Sequence, residues 1–131
     1  MGKAEDDLRE DLIGSELYSV VFVRDYVQLY LDAEPGLPAQ GNWRIIVNLY
    51  VLPTLRAPSI ALASGDQGWA DALRTLIDKK IASVALNPDV EFAISFDTGE
   101  ELHVSLRPGD RLDPPLHEAI EVMHGPAFWA Y

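Results

Sequence analysis

Two stretches of this chain carry nearly the same pattern, and any fold has to place both. LIGSELYSVVFVRDYVQLYLD, residues 12 to 32, aligns with LIDKKIASVALNPDVEFAISFD, residues 76 to 97. Without a gap, Leu12, Ile13, Ser19, Val20 and Asp25 meet Leu76, Ile77, Ser83, Val84 and Asp89, and Phe22 meets Leu86. After a slip of one residue, Val27, Leu29, Leu31 and Asp32 meet Phe92, Ile94, Phe96 and Asp97. The additional residue falls at Asn87-Pro88-Asp89. A hairpin turn can absorb it there, whereas inside a strand it would exchange the two faces of everything that follows.

Period-two alternation makes both copies strands. Val27, Leu29 and Leu31 alternate with Gln28 and Tyr30, and Phe92, Ile94 and Phe96 alternate with Ala93 and Ser95. Each copy then adds a third strand. In the first it runs from Trp43 to Val51, with Trp43, Ile45, Val47, Leu49 and Val51 on one face. In the second it runs from Glu101 to Leu106, with Leu102, Val104 and Leu106 on one face, after a tight turn at Asp97-Thr98-Gly99-Glu100 where Gly99 can take positive φ. A helical segment precedes each triplet. Ala4 to Ile13 puts Leu8 and Leu12 one turn apart, with Glu5, Asp6 and Asp7 favouring its start and Gly14 its end. Ser64 or Asp66 can cap a second helix from Gln67 to Ile77, with Trp69, Ala72, Leu73, Leu76 and Ile77 facing a core.

The pattern predicts an α+β fold in a single domain of residues 1–131, with helix-plus-three-stranded-meander repeats over 4–51 and 66–106 and an extension over 107–131. One meander has a single apolar face and too few residues to bury it, so two copies are expected to cover each other. The favoured arrangement is a bent, mostly antiparallel six-stranded sheet with helices on one side; two facing sheets are the alternative. The tail, DPPLHEAIEVMHGPAFWAY, reads as a short helix from Leu116 to Met123, then an apolar patch of Phe128, Trp129 and Tyr131 docked on the core or on another subunit.

Composition narrows the function. Ten Lys and Arg stand against 21 Asp and Glu, a formal net charge of -11, which repels phosphate backbones and anionic lipid; nucleic acid and membrane are not expected partners, and a basic protein is. Without cysteine there is no disulfide framework and no thiolate chemistry. The acidic start, MGKAEDDLREDLIGS, does not read as a signal peptide, and no apolar run reaches spanning length, so the expected location is cytoplasmic. Stability then has to come from packing.

Candidate sites lie where the copies differ. On the strand faces opposite the main alternation, copy one shows Val21, Val23, Tyr30, Ile46 and Tyr50, while copy two shows Ser83, Ala85, Ala93, Ser95, His103 and Ser105. Tyr30, Ile46, Tyr50, His103 and Trp129 are the candidate ligand or interface residues, and a homodimer is expected to cover the aromatic face. His103 is the candidate general base, with Asp97 or Glu101 near in sequence but expected off its face. His117, Glu121 and His124 fall at i, i+4 and i+7 and could share one side of a helix to hold a metal. The second hairpin turn of copy one, DAEPGLPAQGN over 32 to 42, is the candidate lid. GxGxxG, P-loop and GxSxG signatures are missing, and no cofactor is expected.

Leu12-Ile13-Gly14, Ile94-Ser95-Phe96-Asp97-Thr98-Gly99 with Leu102 and Val104, Glu118-Ala119 and Trp129 stand in an order that resembles uncharacterised small bacterial domains of unknown function, built from two tandem strand triplets. The resemblance implies the strand architecture and no activity. The expected function is therefore a non-catalytic binding domain, of which an immunity-type protein engaging a basic partner is one version. The alternative is a small-molecule binder, or a hydrolase- or isomerase-like enzyme, with a pocket on the His103 face.

Overall fold

The computed structural model describes residues 3–33, 44–110 and 118–131. The chain runs α1 (Lys3–Leu12), β1 (Glu16–Val23), β2 (Tyr26–Asp32), β3 (Arg44–Leu49), β4 (Thr54–Ala57), β5 (Ile60–Leu62), α2 (Trp69–Arg74), β6 (Ile81–Asn87), β7 (Glu91–Phe96), β8 (Glu101–Ser105), β9 (Ile120–His124) and β10 (Ala127–Ala130). The strands form two antiparallel five-stranded sheets: a first, in the order β1-β2-β3-β9-β10, and a second, in the order β5-β4-β8-β7-β6.

This arrangement overturns the bent six-stranded sheet of two helix-plus-meander repeats. The strands that alternation marks are present, but they are divided between two sheets, and each sheet is completed by a hairpin that lies outside the repeated stretches. β9 pairs with β3 through Ile45↔His124, Val47↔Val122 and Leu49↔Ile120. β4 pairs with β8 through Leu55↔Leu102. A lone three-stranded meander has unpaired backbone on both edges, and an added hairpin satisfies one of them while widening the apolar face. Within the meanders, register slips at Tyr18 in β1 and at Ala82 in β6, so both leading strands carry a bulge.

Nor do the helices gather on one side. α1 packs on β6 of the second sheet, while α2 packs on β1 of the first sheet and on β4 of the second. Arg9 in α1 donates to the Leu86 carbonyl at 3.1 Å. Trp69 in α2 donates its indole N–H to the Pro53 carbonyl at 2.9 Å and meets Phe22 edge-on at 5.9 Å. Each helix thus reaches across to the other meander. The sheets touch where β1 and β6 begin: the Leu17 amide donates to the Lys79 carbonyl at 3.0 Å, and the Ile81 amide to the Ser15 carbonyl at 2.9 Å. Gly14, at φ +88, turns the chain from α1 into this seam. Across from it, Lys79 and Thr98 both donate to Glu100, and these bonds hold the Glu100 carboxyl below its ordinary range while fastening the β7–β8 turn to the start of β6.

One core serves everything. Val27, Leu29, Leu31, Ile45, Val47, Leu49, Ile120 and Val122 enter it from the first sheet, and Leu55, Leu86, Phe92, Ile94, Phe96, Leu102 and Val104 from the second. Leu8, Leu12, Leu73 and Leu76 add the helical share. Burial follows the alternation read from the sequence in β2 and β8, whereas Asn48 in β3 and Ala93 in β7 are buried on the opposite side; each apolar side chain in the core contributes about 1.5–3 kcal/mol on leaving water.

Three local expectations change. α2 spans six residues, short of Gln67 to Ile77, and its N-cap is Gly68 in the left-handed region, not Ser64 or Asp66. Asp66 instead accepts from the Ala63 amide at 2.8 Å. The expected helix from Leu116 to Met123 is a strand from Ile120 onward, because Ile120 and Val122 alternate into the core and Gly125, at φ +58, with Pro126 makes the hairpin turn into β10. Most of the 32 to 42 loop, and Trp43, lie outside the described residues. No described helix is long and apolar enough to cross a membrane.

Candidate functional site

The side of the first sheet away from the core carries the largest group of aromatic and hydrogen-bonding side chains among the described residues. Since Val27, Leu29, Val47, Leu49 and Val122 point inward, their strand neighbours Tyr26, Gln28, Tyr30, Ile46, Asn48, Tyr50, Glu121 and Met123 point outward. The helices do not cover this face, because their apolar residues Leu8, Leu12 and Leu73 are spent in the core.

These outward side chains are locked to one another. Tyr18, thrown outward by the β1 bulge, meets Tyr30 edge-on at 6.2 Å, and the Arg44 guanidinium lies 5.5 Å from the Tyr18 ring centroid. Gln28 donates to Asn48 across the sheet at 3.0 Å, and Asn48 is buried although polar. Tyr26 packs on Tyr50 with centroids 5.1 Å apart. Tyr50 donates its hydroxyl to Glu121 at 2.6 Å. Interfaces favour such a surface: tyrosines present large rigid area with few rotamers to freeze, and arginine is enriched beside them. The Tyr18 hydroxyl is buried without a hydrogen-bond partner among the described residues.

Tyr50 shows how closed this face already is. Burial, then the hydrogen bond to Glu121 and its charge, push the phenol up to about 12 from 10.0. The sign follows by linkage: the folded state holds the proton more tightly, so its stability is complete below pH 10.0 and declines as pH rises toward about 12. Spectrophotometric titration is expected to show a phenol step at about pH 12, and Tyr50→Phe to remove it.

The other sequence candidates are dispersed. Tyr30, Ile46 and Tyr50 share the outer face of the first sheet, but His103 stands on the outer face of the second sheet, so no single pocket is lined by all of them. Trp129 belongs to the opposite side, paired with Val122 and packed against the core. Around His103, the carboxylate that closes on the ring is Glu91, at 3.1 Å, a residue the chain order did not suggest because it arrives from β7 across the register. Glu101 does share the His103 face, two residues along β8, but its carboxylate is taken by Arg56 at 3.3 Å. Asp97 lies beyond the end of β7. Asn87 donates to Glu91 at 3.3 Å, so an amide, a carboxylate and an imidazole stand in line. That line could orient a proton acceptor. The neighbouring Ser105 hydroxyl donates to Asp110, which leaves it a structural bond.

The metal arrangement needed a helix, and the strand removes it. Glu121 and His124, three apart in β9, point to opposite sides. Glu121 receives Tyr50, and His124 lies 2.7 Å from Asp11 of α1. His117 is outside the described residues. Among the described residues no group of three or more His, Asp or Glu is placed to hold a metal ion. Comparison with protein-family models, with curated proteins and with solved structures finds no match, so the site is read from its own chemistry.

Proposed function

We propose that the chain is a non-catalytic interaction domain whose working surface is the outer face of the first sheet, seated on a second copy of itself, with its acidic side turned to a basic protein partner. The observation that carries this is the tyrosine-rich face itself: rigid, half-buried, hydrogen-bonded across strands and left uncovered by either helix. Charge supports the division of labour. Along its strands the face bears Glu16, Asp32 and Glu121 against Arg44, a small share of a net charge of -11, so two copies repel least when they meet here. α1, by contrast, carries Glu5, Asp6, Asp7, Glu10 and Asp11 against Lys3 and Arg9. An acidic surface of that kind speeds and orients encounter with a cationic protein, as an immunity-type protein requires.

Light scattering tests the pairing. The wild type is expected near twice the chain mass of 14.5 kDa, and Tyr50→Glu is expected to return it to 14.5 kDa while circular dichroism stays unchanged. A wild type that remains monomeric at every concentration ends the reading.

A further inference from the structure

Beside the acidic α1 lies the outer edge of β10, which no other described strand occupies. The Tyr131 amide donates to the Ile120 carbonyl at 3.0 Å and the Ile120 amide to the Tyr131 carbonyl at 2.9 Å, which fixes the phase of the ladder. In an antiparallel pair bonded residues alternate, so Ala127, Trp129 and Tyr131 turn their backbone groups toward β9 while Phe128 and Ala130 turn theirs outward. No described strand pairs with that outward side. The other outer edge, β5, is only three residues long, and the β1 and β6 edges meet where the two strands begin and each carries a bulge there.

Apart from its shortness, the strand lacks the devices that ordinarily blunt such an edge. Ala127–Ala130 has neither charge, proline nor bulge. Phe128, 57% exposed, is the most exposed large apolar side chain among the described residues. The surroundings set the sign of what pairs here. α1 runs beside the hairpin: Asp11 reaches His124 at 2.7 Å at one end, and at the other the charge of Glu5 helps push the Tyr131 hydroxyl above its ordinary range, with burial the larger cause and Arg9 opposing. An open apolar edge next to an acidic helix favours a strand with basic side chains over a second copy of this chain, which would bring another α1 of the same sign.

We propose that the β10 edge takes up an extended basic-apolar segment of a protein partner as an added strand of the first sheet, through the outward amides and carbonyls of Phe128 and Ala130. This rests on the basic-partner half of the reading above and names its docking place. Main-chain bonds supply affinity, and alternate side chains of the guest meet Phe128 on one side and α1 on the other.

Calorimetry with a synthetic peptide of about ten alternating valines and lysines tests it, with an alternating valine and glutamate peptide as control. Binding of the lysine peptide alone is expected. Phe128→Pro deletes one outward donor and none that β9 uses, and is expected to weaken binding at least about tenfold. Ile60→Pro, at the β5 edge, is expected to leave it unchanged. Phe128→Lys, which guards the edge without altering the backbone, should act like Phe128→Pro and covers the case in which proline unfolds the hairpin. Absence of binding overturns the proposal. Binding indifferent to both Phe128 variants also overturns it, leaving charge capture by α1 and the basic-partner reading intact. A doubled mass that Phe128→Pro abolishes and Tyr50→Glu does not would assign the edge to a second copy, against both readings.

Discussion

Val47→Asp is expected to abolish the cooperative unfolding transition, and Ile46→Asp, one residue earlier in the same strand, to leave it in place. Val47 is fully buried at the centre of the first sheet, with Leu29 on one side and Val122 on the other. A carboxylate there has no donor to meet and no water, and such a substitution costs more than about 4 kcal/mol, a large part of the 5–15 kcal/mol on which a domain stands. Ile46 points to the opposite side and is only partly buried. Its replacement costs on the order of 1 kcal/mol through strand preference and lost contact with neighbours. Urea unfolding followed by circular dichroism reads both. If Ile46→Asp keeps its transition but loses self-association in light scattering, fold and surface are separated by a single step along β3. Equal damage from the two would contradict the inward and outward assignment on which the proposed surface depends.

Phe92→Ala carries the next largest effect, an expected loss of about 3–5 kcal/mol in the unfolding free energy. Phe92 is fully buried in β7, between Leu86 on β6 and Val104 on β8, and is the largest of the fully buried side chains. β7 is held on both sides by the ladder, so the backbone cannot collapse into the space that the ring vacates. Phe92→Leu keeps most of the volume and is expected to cost less than half as much. A drop in the urea midpoint without a change in slope marks the effect as lost packing, whereas a lowered slope would mark a change in the unfolded chain. A loss below about 1 kcal/mol would mean that the second sheet is looser than its burial implies.

Which parts of this fold the sequence discloses follows from which parts obey a period. Val27, Leu29 and Leu31 alternate cleanly because β2 has one face in the core and one turned away, and Phe92, Ile94 and Phe96 mark the core face of β7 although Ala93 opposite them is buried too; both sets are legible for that reason. Gly14 and Gly99 are legible because only glycine takes positive φ without strain, and both do so. β4 and β5 are not legible: four and three residues around Pro58 are too short for a period to show. The tail misleads differently, since HEAIEVMH satisfies helical spacing through His117, Glu121 and His124 while Ile120 and Val122 satisfy strand spacing. Tertiary pairing with β3 decides between them, and Gly125-Pro126 was the local sign that a hairpin turn follows. Glu91 is illegible for a related reason: its distance to His103 is set by cross-strand register, which no spacing along the chain expresses. The aromatic outer face was readable from alternation in Tyr30, Ile46 and Tyr50, but Tyr18 joins it only through a bulge.

The first sheet takes β1, β2 and β3 from residues 16–49 and β9 and β10 from residues 120–130, with the whole second sheet made in between. On the ribosome, then, β3 waits with a bare flank until the whole second sheet has been synthesised, and the nascent chain holds a partial sheet with an unpaired edge for that interval. Closure of the first sheet is accordingly expected to be slow, in the millisecond-to-second range of chains dominated by distant pairings.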